Sequence, residues 1–153
     1  MAIQFPLDEI RSRIGKWKTE LIQRKATVYR LLAVELQTLA RGSFWTLSQG
    51  ETDDDRGITW DPLKPSYVDW KEDQGYSQKI GVRTGKMFAE FNRFVTADGF
   101  YVVFPTDYAK FFDRRRELLP PEDKLPAKWT QRLNDSVVEW ADQYLQFPQE
   151  RSA

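Results

Sequence analysis

An acidic run in the polar segment 48–57 is the first group of side chains that could do chemistry. Its carboxylates belong to Glu51, Asp53, Asp54 and Asp55. Carboxylate oxygens are the ligands that calcium and magnesium prefer. The run has neither the spacing of an EF-hand loop nor its closing bidentate glutamate, and runs of like charge usually lie in water. We therefore favour an exposed, solvated loop over a cation site.

A run of three guanidinium groups is the second such group. It consists of Arg114, Arg115 and Arg116. Their fork of N–H donors suits phosphates, or carboxylates across a subunit boundary. Three successive side chains on a helical turn cannot share one face, so at most two would contact one partner. A solvated turn is the first interpretation, a protein interface the second, and a nucleic-acid contact the third.

Three acids, Asp107, Asp113 and Glu117, lie close enough in the chain to suggest paired-carboxylate catalysis. No nucleophile, phosphate-binding loop or electrophile accompanies them, so acids on a helix surface are the better interpretation. The chain also has no His and no Cys, which excludes imidazole and thiolate chemistry, disulfides and the usual zinc sites. We expect a protein that is not an enzyme and that uses no cofactor or metal.

The composition favours association with other proteins. The 153 residues carry 23 basic and 23 acidic side chains, and proteins near neutrality repel one another least. The chain holds 6 Trp, 6 Tyr and 10 Phe, which together with Arg are enriched at interfaces. Surplus aromatic residues therefore indicate surface that an assembly buries. The length predicts a single domain, 1–153.

The N-terminal part of the chain is predicted to be a long helix, 7–41. Apolar residues recur there at steps of three or four, with one gap at Arg24 and Lys25. The gap leaves open one continuous helix or two helices with a bend near 23–26. Gly42 suits the position that follows a helix end. Residues 1–42 carry eight basic and four acidic side chains, a net charge of +4, so this helix is basic.

The middle of the chain is predicted to be an irregular connection, 43–79, with one turn of helix at 66–71, followed by a sheet region, 80–105. Two stretches with strand propensity, 86–96 and 100–105, flank the short connector Ala97-Asp98-Gly99, which indicates a hairpin. The second strand is apolar on both faces. It therefore requires cover on both sides, or one side is reserved for a partner.

The C-terminal part, 107–145, is predicted to hold a short helix, a proline-bounded loop and a final helix from Ala127 to Leu145, followed by a frayed tail, 146–153. The expected fold is α+β, with the long N-terminal helix and the C-terminal helix packed on a small antiparallel sheet centred on the hairpin. The first residues lack the pattern of a signal peptide, and no stretch reaches about 18 apolar residues. We therefore expect synthesis in the cytoplasm.

The order of several short motifs resembles the virion morphogenesis, or tail completion, family of tailed bacteriophages. The motifs are W-D-P-L at Trp60 to Leu63, a segment around Lys71, T-G-K-M beginning at Thr84 and Gly85, and Y-A at Tyr108 and Ala109, ahead of R-E-L-L-P. Methionine stands at position 87 where the family usually has leucine, and Phe111-Phe112 stands where a polar segment is usual. The resemblance covers about residues 25–125.

The resemblance implies a structural protein of the head–tail joining region or the tail end, present in the virion and assembled in the host cytoplasm. Such a protein works as a ring of identical subunits that contacts neck, connector or tail-tube proteins. We expect Trp60 and Leu63 to anchor the irregular segment, Thr84 and Gly85 to permit a tight turn into the hairpin, and Tyr108 to fix the return of the chain. Assembly contacts are expected at the acidic run and the arginine run, because loop tips reach neighbours.

Two other classes of function compete with this one. A nucleic-acid-binding accessory protein would use the basic N-terminal helix and Arg114–Arg116 with exposed aromatic residues. A carboxylate-based hydrolase would require Asp107, Asp113 and Glu117 to line one cleft. No membrane partner is expected.

Overall fold

The computed structural model describes residues 7–103, 109–121 and 123–144. The elements in chain order are α1 (Leu7–Ser48), α2 (Pro65–Asp73), α3 (Lys86–Ala89), β1 (Asn92–Val95), β2 (Phe100–Val103), α4 (Ala109–Asp113) and α5 (Ala127–Tyr144). The two strands form one antiparallel sheet. The prediction of an α+β fold is confirmed. Among the described helices, none combines the length and the apolar character needed to cross a membrane.

Helix α1 is continuous through both places where the sequence suggested an interruption. The predicted end at Gly42 is wrong, because Phe44 and Leu47 extend the apolar stripe and are fully buried. A glycine inside a helix costs about 1 kcal/mol, whereas burying each of those two side chains contributes about 1.5–3 kcal/mol. The helix ends at Ser48. Gly50, with φ of +77°, is the left-handed glycine that follows this end, and its N–H donates to the Leu47 carbonyl.

Helix α5 packs along α1 in the opposite direction, so that its end lies near Arg24 and its second turn near Glu35. The Arg24 guanidinium donates to the Tyr144 carbonyl at 3.0 Å, and Arg132 pairs with Glu35 at 3.3 Å. Trp129 and Leu133, four residues apart, are buried. The predicted helix in this part of the chain is confirmed. Leu145 and the expected frayed tail lie outside the described residues.

The connection between α1 and the sheet is more helical than predicted. The expected single turn at 66–71 is a nine-residue helix, α2, which begins with Pro65, a residue suited to a first helical position. The predicted strand from Lys86 is wrong over residues 86–91: its first four residues form α3, and β1 begins only at Asn92. Met87 and Phe91 are buried whereas Ala89 between them is exposed, which breaks the alternation expected of a strand and fits a helical turn.

The predicted hairpin is confirmed, with strands shorter than expected. Its register pairs Asn92 with Val103 and Val95 with Phe100. The hairpin packs against α1 through Gln37, which donates to the Phe91 carbonyl at 2.6 Å and accepts from Arg93 at 2.5 Å. A buried glutamine with both ends of its amide bonded fixes where the sheet crosses the helix. Positions 104 and 105 of the predicted strand lie outside the described residues.

The core is built around the Phe44 ring of α1. Trp60 and Phe91 meet it edge-on, with ring centroids 5.4 and 5.6 Å away. Phe112 of α4 in turn meets Trp60 edge-on at 5.0 Å. Edge-to-face contacts at these distances are the favoured geometry for aromatic pairs. Much of the aromatic content of the chain therefore fills a single core between α1, the loop at Trp60, α3 and α4.

Arg56 fastens the acidic loop to α1 and to the segment after α4. Its guanidinium donates to the Ser43 hydroxyl at 3.0 Å, to the Leu118 and Glu117 carbonyls at 3.1 Å each, and to the Glu117 carboxylate at 2.9 Å. The Arg56 side chain is 2% exposed, whereas the Glu117 side chain is 48% exposed. A buried cation with one partly solvated counter-ion depends on the fixed carbonyls for much of its stabilisation. We call this set of contacts the Arg56 clamp.

Replacing Arg56 by lysine should destabilise the fold by about 2–4 kcal/mol. Lysine keeps the charge but has one nitrogen in place of the two that reach these four acceptors, so buried carbonyls lose their donors. Equilibrium urea unfolding followed by circular dichroism measures the difference. Arg115→Lys, on an exposed side chain, is the matched control and should change stability by less than about 0.5 kcal/mol. Equal shifts in the two variants would contradict the clamp.

Candidate assembly surface

The outer face of the hairpin is an exposed apolar surface. Side chains alternate along a strand, and the register places Phe94 directly opposite Tyr101, so these two share a face with Val103 and Asn92. Phe94 is 53% exposed, Tyr101 46% and Val103 38%. No ring contact or hydrogen bond engages Phe94 or the Tyr101 hydroxyl within the described residues. We call Asn92, Phe94, Tyr101 and Val103 the outer sheet face.

Both edges of the two-stranded sheet carry unpaired backbone groups. The Thr96 N–H donates to the Gly99 carbonyl at 2.8 Å and closes the hairpin. Bonded and non-bonded pairs alternate along an antiparallel ladder, so the backbone groups of Arg93 and Val95 point away from β2, and those of Phe100 and Val102 away from β1. No backbone hydrogen bond satisfies these groups elsewhere in the described residues. These groups are therefore the ones that an added strand would pair with.

The acidic run is only partly available to a partner. Asp53 is buried, and its carboxylate accepts the N–H groups of Asp55 and Arg56 at 3.0 and 3.3 Å. Its own N–H donates to the Ile58 carbonyl, so Asp53 shapes its own loop and is not a free contact group. Asp55 pairs with Lys128 of α5 at 3.2 Å. Glu51 and Asp54 are exposed and form no ion pair within the described residues.

The arginine run is divided between the fold and the surface. Arg116 donates to the Asp61 carbonyl at 3.0 Å, and its guanidinium lies 5.8 Å from the centroid of the Phe112 ring. Arg114 and Arg115 are exposed. Arg116 therefore helps to hold the segment around Asp61, and the remaining pair is the part of the run that faces solvent.

Lys71 is almost completely buried, at 2% exposure. Its ammonium donates to the Lys79 carbonyl at 2.9 Å and to the Val82 carbonyl at 2.7 Å. Burial lowers the pKa of Lys71 below the ordinary lysine value, because desolvation disfavours the charged form. Lys71 thus ties α2 to the turn that precedes α3. The sequence singled out this lysine only through the family resemblance and gave no sign that it is buried.

The other motif residues are divided between the core and the turn before α3. Trp60 and Ala109 are buried in the core, and Leu63 packs against it. Gly85 has φ of +80° and leads into α3, so the turn at Thr84 and Gly85 enters a short helix before the hairpin begins. Thr84 is exposed. Tyr108 lies outside the described residues.

The carboxylates considered for catalysis have structural partners. Asp113 accepts the Leu118 N–H at 2.8 Å, and Glu117 pairs with Arg56. Both line a groove beside β2 whose other lining side chains are apolar apart from Tyr101 and Trp129. Asp107 lies outside the described residues. Within the described residues, the groove therefore holds one acid that stabilises a turn and one that pairs with Arg56.

Sequence reasoning missed Arg56 entirely. The residue stands beside three aspartates in a polar segment, a pattern typical of a solvated loop, and its partners are 13 and about 61 positions away. No local spacing signals such contacts. In contrast, the two apolar faces of the second strand left an uncovered sheet face open as one of two alternatives.

No group of three or more acidic side chains in the described parts of the chain is arranged to hold a metal ion. No protein-family model, curated protein or solved structure matches the chain. Functional inference therefore depends on the geometry and on the motif order.

Replacing Lys71 by methionine should destabilise the fold by about 1–3 kcal/mol, because two buried carbonyls lose their donor. The loss should be larger at about pH 9.5 than at about pH 7. Because the pKa is lowered, Lys71 loses its proton at a lower pH in the folded chain than in the unfolded chain. The free energy of unfolding of the wild-type chain therefore increases, relative to the variant, as the pH rises towards the ordinary lysine pKa of about 10.4. Urea unfolding at both pH values measures the difference. Lys124→Met, on an exposed lysine, should show neither effect, and a pH-independent loss would contradict the role of burial.

Proposed function

We propose that this protein is a structural component of a tailed bacteriophage virion that forms a homo-oligomeric ring in head–tail joining or tail completion. The outer sheet face carries the proposal. Three large apolar side chains share one face of a two-stranded sheet, and such patches on a folded chain mark interaction sites.

In the proposed ring, unlike edges of the hairpin would meet. The edge of β1 and the edge of β2 are different surfaces, and pairing β1 of one copy with β2 of the next leaves one free edge at each end of the pair. Such a heterologous contact repeats around an axis and yields a ring where the rotation between copies closes. Main-chain hydrogen bonds would supply register, and the outer sheet faces would form a continuous apolar band.

The bacteriophage assignment rests on the motif order and on what the motif residues do. Trp60, Met87 and Ala109 belong to one core cluster, and Lys71 fixes the turn between two motifs. These are the fold-holding roles expected of residues in a structural protein. The partners of the ring would be neck, connector or tail-tube proteins, with Glu51, Asp54, Arg114 and Arg115 as the exposed charged groups at loop tips.

Size-exclusion chromatography with light scattering tests the ring. The wild-type chain should have the mass of several subunits, and Phe94→Glu or Tyr101→Glu should yield monomers that keep the circular dichroism spectrum of the folded chain. Each introduced charge would have to be buried without a partner in the assembled sheet. Val138→Glu, on an exposed apolar residue of α5, is the matched control and should leave the assembly intact. A wild-type monomer at high concentration, or both glutamate variants assembling normally, would contradict the proposal.

A nucleic-acid-binding protein is the competing candidate, since Arg11, Lys16 and Lys18 on α1 are exposed. Phosphate contacts make affinity fall steeply with salt. Titration with single- and double-stranded DNA at two salt concentrations therefore separates the candidates. Salt-sensitive binding by the monomeric Tyr101→Glu variant would favour the competing function, and no binding at low salt would remove it.

A further inference from the structure

A cavity of about 370 Å³ lies between α2, the turn that precedes α3, and α4. Three cationic side chains line it: Lys71, Arg83 and Lys86. Thr84 adds a hydroxyl, and Tyr67 and Phe112 add aromatic surface. No aspartate or glutamate is among the lining residues in the described part of the chain. The volume is at the small end of the range for ligand sites in proteins.

Two of the cations that line this cavity have neutral partners within the described residues. Lys71 donates to two carbonyls and lies 5.8 Å from the centroid of the Tyr67 ring. Arg83 is held by neutral groups: it donates to the Tyr76 hydroxyl at 3.3 Å and lies over the Tyr76 and Trp70 rings. Lys86 alone has an acidic neighbour, Glu90, at 3.6 Å.

Such an arrangement creates a positive potential inside the cavity. Low-dielectric walls focus the field of charges that line a cleft, and the buried Lys71 is screened less than a surface lysine. An anion with more than one negative charge that binds there in the folded chain, and not in the unfolded chain, would stabilise the folded state.

We propose that this cavity binds the phosphate group of a small phosphomonoester. Arg83 and Lys86 would donate charge-assisted hydrogen bonds, and the Thr84 hydroxyl would donate a neutral one. Lys71 contributes its field from the wall. A phosphomonoester carries a charge of about −1.5 to −2 near neutral pH, which matches three cations better than a carboxylate does. The aromatic surface of Tyr67 and Phe112 then lies beside the anion, where the organic part of the ligand would pack.

The site does not depend on ring formation. Its residues lie between α2 and α4, and none belongs to the outer sheet face. Binding can therefore be measured on the full chain, or on the monomeric Tyr101→Glu variant if assembly complicates the titration.

Isothermal titration calorimetry at constant ionic strength tests the proposal with inorganic phosphate, thymidine monophosphate and acetate as probes. Phosphate should bind with one site per chain and raise the thermal midpoint, and acetate should not. Thymidine monophosphate binding more tightly than phosphate would show that the aromatic surface contacts the organic part, and equal affinity would show that the phosphate alone is recognised. No binding by either phosphate compound, or equal binding by acetate, would overturn the proposal.

Paired substitutions locate the site. Arg83→Gln with Lys86→Gln should weaken phosphate binding at least about tenfold, because two charge-assisted donors are lost. Arg115→Gln with Lys124→Gln removes the same charges from exposed positions outside the cavity and should leave the affinity unchanged. Circular dichroism of both pairs checks that they fold. Equal weakening in the two pairs would show a general charge effect and overturn the assignment to this cavity.

Discussion

The burial of Arg56 is the constraint on which the arrangement of the fold depends. One guanidinium joins the hydroxyl of a residue on α1 to two carbonyls and a carboxylate beyond α4, and it does so beside Trp60 in the core. Trp60 reinforces the same junction, because its indole N–H donates to the Glu117 carbonyl at 3.3 Å. An ion pair with one partly solvated member adds little to stability by itself, but removing the buried guanidinium leaves the groups that it contacts without a donor. The clamp therefore fixes where the chain segments meet more than it adds to the free energy of unfolding.

The parts of the fold that local pattern decides could be predicted, and the parts that distant contacts decide could not. Helices α1 and α5 follow from apolar residues three and four positions apart, and the hairpin follows from a short glycine-containing connector between two strand-forming runs. The helix end predicted at Gly42 was wrong because the free energy that a glycine costs inside a helix is small compared with the gain from burying Phe44 and Leu47. Lys71 stands beside Glu72 and Asp73 in the sequence and looks like a solvated lysine. Its burial depends on carbonyls 8 and 11 residues further on, which no spacing rule reveals.

The sequence predicted only part of the candidate surface, because local patterns reveal apolar faces but not distant contacts. A strand that is apolar on both faces requires cover on both sides or leaves one side for a partner, and the exposed outer sheet face agrees with the second alternative. The charged runs were less informative, because charge alone does not say whether a side chain is solvated or bonded. Asp53, Asp55 and Arg116 are held by neighbours in the fold. The aromatic residues divide likewise: Phe44, Trp60 and Phe91 fill the core, while Phe94, Tyr101 and Trp70 are exposed.

The neutral total charge hides a separation of charge along α1. At 42 residues the helix is about 63 Å long, and α5 meets it only from the level of Arg24 onward. The cations Arg11, Lys16 and Lys18 are therefore exposed towards one end of α1, and the acids Glu51 and Asp54 follow its other end. A helix C-terminus favours cations, so α1 itself does not account for the acidic residues beyond it. Copies aligned in register would place like charges together, whereas a head-to-tail offset would bring the basic end of one copy towards the acidic loop of the next. Charge of this kind acts mainly on encounter and register, so it would complement an apolar sheet contact that supplies most of the affinity.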